Sequence, residues 1–172
     1  GEGGRARPGG AGERGVGDSG YRGCGAALVG MDCRPGTGNR KSRASVAGPR
    51  VTKALIVVDP GFAINPRGLE AQMIGGMNDA IAIALTSSLH IRNGIPLEGS
   101  WDNYFYTREW NTPLEMKVVV MPPTTGKPSG AGELAVAPSL AAIACAYARA
   151  TGTMPTYFPI NHGTLGFRPY PL

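Results

Sequence analysis

Glu133 has the clearest chemical potential in this sequence. It closes the run Ser129-Gly130-Ala131-Gly132 and stands just before an apolar, Ala-rich stretch. After Glu115 it is the only acid in the rest of the chain. Small neighbours let backbone approach a bulky ligand closely. A carboxylate beside a helix N-terminus is held and oriented by free amide groups. In apolar surroundings such an acid is suited to general-base work. The same position also fits an ordinary acid of a first helical turn, and spacing alone leaves both readings open.

Other chemistries are weaker. Thr124-Thr125-Gly126-Lys127-Pro128 lacks the first glycine of a phosphate loop, and Pro128 stands where a metal-binding hydroxyl is needed. Gly130-Ala131-Gly132-Glu133-Leu134-Ala135 has the Gly-x-Gly-x-x-Ala string of a dinucleotide turn. About eight loop residues part it from the preceding strand, and no acid follows to meet a ribose. His90 and His162 have no Cys or acid at metal-ligand spacing and read as surface or loop histidines, so no metal ligand is assigned. No Gly-x-Ser-x-Gly elbow is present. The aromatic stretch 101–110 reads as packing or as a pocket wall for a planar substrate. Cys145 lies in an Ala-rich run and reads as a buried, inert thiol.

The elements that must position Glu133 follow from pattern. Thr52 to Val58 is a β-branched run suited to a buried strand. Asp59-Pro60-Gly61 turns the chain, and Asn65-Pro66 starts a helix that should run to about Ser88. Leu69, Met73, Met77, Ile81 and Leu85 recur every four residues and form its apolar face. Gly75-Gly76 in its middle would each cost about 1 kcal/mol relative to Ala, which points to close packing against the backbone there. Leu89 to Arg92 reads as a strand, Asn93-Gly94 as a hairpin turn, and Lys117 to Met121 as a further strand. A second helix opens at Ala137 or Ser139 and stops at Gly152. This order predicts an α/β fold, a mixed α+β layer arrangement.

Charge and glycine are unevenly spread. Residues 1–50 hold 15 glycines, 9 basic and 4 acidic residues, whereas residues 51–172 hold 8 of each sign. The whole excess of +5 therefore lies in the first 50 residues. That segment has no helical or alternating period, so irregular or disordered chain is expected. Its rival reading is a Gly/Arg-rich RNA-binding arm on a small binding module, though no Arg-Gly-Gly repeat occurs. Three cysteines exclude a disulfide framework. Asn78, Asp79 and His90 interrupt the apolar stretch 73–91, so no membrane span is expected. The first residue is Gly and no leader-like run follows it, so the chain reads as a fragment or a processed product.

Four stretches together are specific: Val58-Asp59-Pro60-Gly61-Phe62-Ala63-Ile64-Asn65-Pro66, Glu70-Ala71-Gln72-Met73-Ile74-Gly75-Gly76, the segment around Asp102-Asn103-Tyr104, and Ser129-Gly130-Ala131-Gly132-Glu133. In order and spacing, residues 51 to about 162 resemble the C-terminal part of the molybdenum hydroxylases, the xanthine oxidase and aldehyde oxidase family. Within it they are most similar to the large (beta) subunit of the isoquinoline 1-oxidoreductase branch. The resemblance implies a C-terminal fragment of a molybdopterin-binding domain over 51–162, an irregular segment over 1–50 and an extended tail over 163–172.

The resemblance also implies roles. Glu133 matches the family's catalytic glutamate, the base in a hydroxylation that takes its oxygen from water. Gly132 belongs to the same Gly-x-Gly-Glu motif at the cofactor, and Gln72 matches a glutamine that hydrogen-bonds molybdopterin. The intact enzyme would carry molybdopterin, in its cytosine dinucleotide form, and the fragment alone would carry none. Implied partners are the remainder of the large subunit, a 2Fe-2S small subunit and a small heteroaromatic or aldehyde substrate, with no nucleic acid. The compartment, exported or cytoplasmic, is left open. Leu134 and Ala135 stand where Pro is common in the family, the family's upstream glycine-rich loops are not found, and no Cys cluster for iron–sulfur ligation is present. The patternless residues 1–50 would fit a shifted reading frame.

Overall fold

The computed structural model describes residues 24–26, 33–35, 49–101, 103–123 and 125–160. Three short strands come first, β1 (Cys24–Ala26), β2 (Cys33–Pro35) and β3 (Pro49–Val51). The longer β4 (Lys53–Asp59) follows, then helix α1 (Pro66–Leu85). A small hairpin, β5 (Ile91–Arg92) and β6 (Ile95–Pro96), precedes β7 (Glu115–Val120) and helix α2 (Val136–Thr151). Sequence patterning starts order at about Val51. β3 ends at that point, and the three-residue strands β1 and β2 lie before it. The expectations for the other residues of 1–48 and for 161–172, His162 included, lie outside the described residues.

β4 is the centre of a three-stranded sheet ordered β1-β4-β7. β1 runs antiparallel to it, with Cys24 opposite Asp59. β7 runs parallel, with Lys53 opposite Glu115 and Val58 opposite Val120. Parallel neighbours need a crossover, and the chain supplies it with α1 and the hairpin. Along β4, Ala54, Ile56 and Val58 are buried while the alternate residues are half-buried or exposed, the period-two signature of a strand with one core face.

α1 begins as the sequence predicts. The Asn65 side-chain Oδ1 accepts from the Gly68 amide at 3.0 Å, and Pro66 occupies the first turn. Met73, Met77, Ile81 and Leu85 are buried and join Ile56, Val58, Ala135 and Ile143 in one core. The helix ends at Leu85, three residues before expectation. There the Thr86 and Ser87 amides both donate to the Ala82 carbonyl, and their hydroxyls donate to the Phe105 carbonyl. Asn93 and Gly94 both adopt positive φ, as a tight hairpin turn demands. α2 starts at Val136, one residue before the earlier of the two expected starts, Ala137 and Ser139, and ends on left-handed Gly152 at φ 77°. Cys145 on α2 is exposed, which corrects the buried reading: the Ala-rich run around it is a helix with two faces, and the thiol lies on the outer one.

Candidate active site

Two segments that precede α2 in sequence are tied down before Glu133 is reached. The turn Asp59-Pro60-Gly61 at the end of β4 is stitched to the loop before Gly130. The Phe62 amide donates to the Lys127 carbonyl at 3.0 Å, and both the amide and the hydroxyl of Ser129 donate to the Pro60 carbonyl, at 2.9 and 2.8 Å. Gly61 is required here. Its φ is +72°, and a Cβ on it would lie 2.5 Å from the Lys127 carbonyl oxygen. Four residues after Ser129, Glu133 turns into α2, its carbonyl accepting from the Val136 amide at 3.1 Å.

α1 makes the second attachment. The Gln72 Nε2 donates to the Gly132 carbonyl at 2.6 Å, across sixty positions of chain. One helical turn on, α1 touches the start of α2: a Cβ on Gly76 would lie 2.9 Å from the Ala135 Cβ and 3.5 Å from the Val136 Cγ2. The double glycine thus divides. Gly76 is the close contact that the sequence predicts, whereas a Cβ on Gly75 would meet nothing within 4 Å.

These attachments enclose an open cleft of about 520 Å³. α1 contributes Gln72, Gly75, Gly76 and Asp79 to its lining, and the loop contributes Gly132 and Glu133. The three residues singled out from sequence, Gln72, Gly132 and Glu133, therefore share one cleft. Glu133 is exposed rather than set in apolar surroundings, and it lies three residues before α2, whose first turn holds no acid. That placement removes the reading of an ordinary first-turn acid. Its carboxylate has no hydrogen-bond or ion-pair partner among the described residues, so both oxygens are open to a ligand or a proton.

The structure also adds a residue. Asp79 lines the cleft, and nothing in its own neighbourhood marks it. The signal that could have found it is spacing: positions 72, 75, 76 and 79 share one helix face. By contrast, no residue of the aromatic stretch 101–110 lines this cleft among the described residues. Trp101 instead packs edge-on against Tyr104 and Tyr106, with centroids 5.9 and 5.6 Å apart, and Arg108 lies over the Tyr106 ring. Asp102 lies outside the described residues.

A second polar pair closes the hairpin. His90 Nδ1 meets Glu98 Oε1 at 2.5 Å, and the His90 amide donates to Glu98 Oε2 at 2.8 Å. Burial pushes the Glu98 carboxyl up, but the hydrogen bonds from the His90 backbone and ring outweigh it and hold it below its ordinary range. Among the described residues no group of three or more His, Cys, Asp or Glu is placed to hold a metal ion. No helix among them is long and apolar enough to cross a membrane.

Residues 45–113 match the family model of the molybdopterin cofactor-binding domain, a span that contains Gln72 and Asp79 and stops short of Glu133. Over 109 residues, 63% of the chain, the sequence is 32% identical to a membrane-bound aldehyde dehydrogenase (pyrroloquinoline-quinone) of Gluconacetobacter polyoxogenes and covers 14% of that protein. Among solved structures, quinoline 2-oxidoreductase from Pseudomonas putida 86 superposes with a TM-score of 0.53 at 28% identity, over 60% of this chain and 14% of that one. The aldehyde oxidoreductase of Desulfovibrio gigas superposes with a TM-score of 0.51 at 24% identity, over 62% of this chain and 12% of that one, a likeness of fold. The chain thus spans about one seventh of the relatives it matches.

Proposed function

This chain belongs to the molybdenum hydroxylase family and matches part of its molybdopterin-binding domain, and from that premise we propose that its cleft is one wall of the cofactor and substrate site. The reaction proposed is hydroxylation of a carbon in an N-heteroaromatic ring or an aldehyde, with water as the oxygen source. The observation that carries this reading is the hydrogen bond from Gln72 to Gly132, because it brings the helix and the Gly-x-Gly-Glu loop to one cleft.

The cleft suits a planar, polar cofactor. The Cα hydrogens of Gly75 and Gly132 face open space, so a side chain at either position would fill room that a ring can use. Gln72 spends one amide N–H on Gly132 and keeps a second N–H and its Oε1 for a ligand. When bound, molybdopterin supplies a metal that activates a water-derived oxygen and accepts two electrons. The chain's own part is then assigned. Gln72 holds the pterin edge, Gly132 and Gly75 admit its ring to the backbone, and Glu133 accepts the proton released as the oxygen becomes nucleophilic. The name of the Gluconacetobacter relative specifies a quinone. The family model specifies molybdopterin, and the reading follows it.

The finer assignments rest on the same proposal. The cofactor is taken to be the cytosine dinucleotide form and the branch to be that of the isoquinoline oxidoreductases. Electron transfer is assigned to a separate 2Fe-2S subunit, as the resemblance to that branch implies. The remainder of the large subunit must supply the rest of the site, and the 172-residue chain alone should be inactive and free of molybdenum. In the assembled enzyme Gln72→Ala should lower the molybdenum-to-protein ratio. Unchanged metal content in that variant would reject the role given to Gln72.

A further inference from the structure

We propose that Asp79 is a recognition residue of the cleft, accepting a hydrogen bond from an N–H of a planar nitrogen heterocycle laid along α1. The assignment rests on the reading of the cleft given above and adds a residue and a ligand chemistry to it. Gln72 and Asp79 are seven residues apart on one helical face, about 10 Å along the axis. Between them the face carries Gly75, whose Cβ position is empty for 4 Å. The floor of the cleft is therefore bare backbone with an amide at one end and a carboxylate at the other.

Asp79 is exposed and has no hydrogen-bond or ion-pair partner among the described residues, so no structural bond explains its side chain. An ionised carboxylate can only accept hydrogen bonds. The other ionisable residue lining the cleft is Glu133, and no Lys or Arg lines it among the described residues. Two acids without a base repel phosphate and carboxylate and favour a neutral or cationic ring that presents N–H groups. Two sources fit that chemistry, the amino-oxo edge of the pterin and an N–H-bearing substrate ring.

Titration of the cofactor-free assembled enzyme with pterin, with quinazolin-4-one and with quinoline separates them. Inorganic phosphate serves as the anion control, and a circular dichroism spectrum checks the fold of each variant. Replacing the charged acceptor by a neutral amide oxygen should weaken binding of the N–H-bearing ring by up to about tenfold in Asp79→Asn. Quinoline, which has no N–H, should be unaffected, and phosphate should not bind. An effect on pterin alone assigns Asp79 to the cofactor, and an effect on quinazolin-4-one alone assigns it to substrate. If Asp79→Asn leaves both rings unchanged while Gln72→Ala weakens pterin, the role of Asp79 falls and the cleft reading stands. If the wild-type enzyme binds neither ring, or Gln72→Ala has no effect either, the cleft reading falls and the role of Asp79 with it.

Discussion

The adjacent glycines of α1 allow the contact that builds the cleft to be measured. Gly75→Ala and Gly76→Ala make the same chemical change one residue apart in one helix. Each gains about 0.5–1 kcal/mol of helix propensity from Ala over Gly, part of it through the unfolded chain. At Gly75 the new methyl meets nothing within 4 Å. At Gly76 it would stand 2.9 Å from the Ala135 Cβ, closer than carbon atoms pack, and a Cβ cannot swing aside as the end of a long side chain can. Overpacking of this kind costs about 1–3 kcal/mol. Because the propensity terms match, the difference between the variants isolates the packing cost. Gly75→Ala should be more stable than wild type by about 0.5–1 kcal/mol, and Gly76→Ala should lie about 1–3 kcal/mol below Gly75→Ala. At about 2–4 °C per kcal/mol for a chain of this size, thermal unfolding followed by circular dichroism resolves the pair. Ala135→Gly in the Gly76→Ala background should recover much of the loss, since it removes the opposing methyl. Equal stability of the two single variants would refute the close α1–α2 contact and the cleft geometry that depends on it.

Two further predictions concern elements that frame the site. Asn65→Ala removes the cap of the Gly68 amide and should cost about 1 kcal/mol in urea unfolding, with Asn65→Asp close to wild type; an equal loss in both variants would argue against capping. Glu98 has a folded pKa held below its unfolded value, so its contribution is complete above the unfolded value and is lost as pH falls through the folded one. Wild type should therefore lose stability relative to Glu98→Gln as pH falls below about 5, and parallel stability profiles of the two proteins would reject the His90–Glu98 clasp.

What was legible in the sequence was local. Asn65-Pro66, Asn93-Gly94 and Gly152 act through their own backbone geometry, and each marks the boundary it predicts. Apolar spacing likewise placed Met73, Met77, Ile81 and Leu85 in the core. What was not legible depends on partners distant in the chain. β1 is three residues long and exists through pairing with β4, more than thirty positions away. Gly75 and Gly76 read alike until the start of α2 is laid against one of them. Cys145 shows that composition does not assign a helix face. His90 found its acid because the Asn93-Gly94 turn folds the chain back and brings Glu98 beside it, one place beyond Leu97, the residue that the hairpin register sets opposite His90. The candidate site lies between these cases. Its motifs stood out one by one, and their meeting rests on the bonds from Phe62 and Ser129 to the neighbouring loop and from Gln72 to Gly132.

The central claim is that Glu133 acts as the proton acceptor in a cleft whose other residues hold the cofactor. The most direct measurement is turnover beside molybdenum content for Glu133→Gln in the assembled enzyme. Gln keeps the size and hydrogen-bonding capacity of the side chain and removes the base. Turnover should fall by about 10²–10⁴ while the metal-to-protein ratio stays near that of wild type. Near-normal turnover, or loss of metal in step with activity, would contradict the assignment.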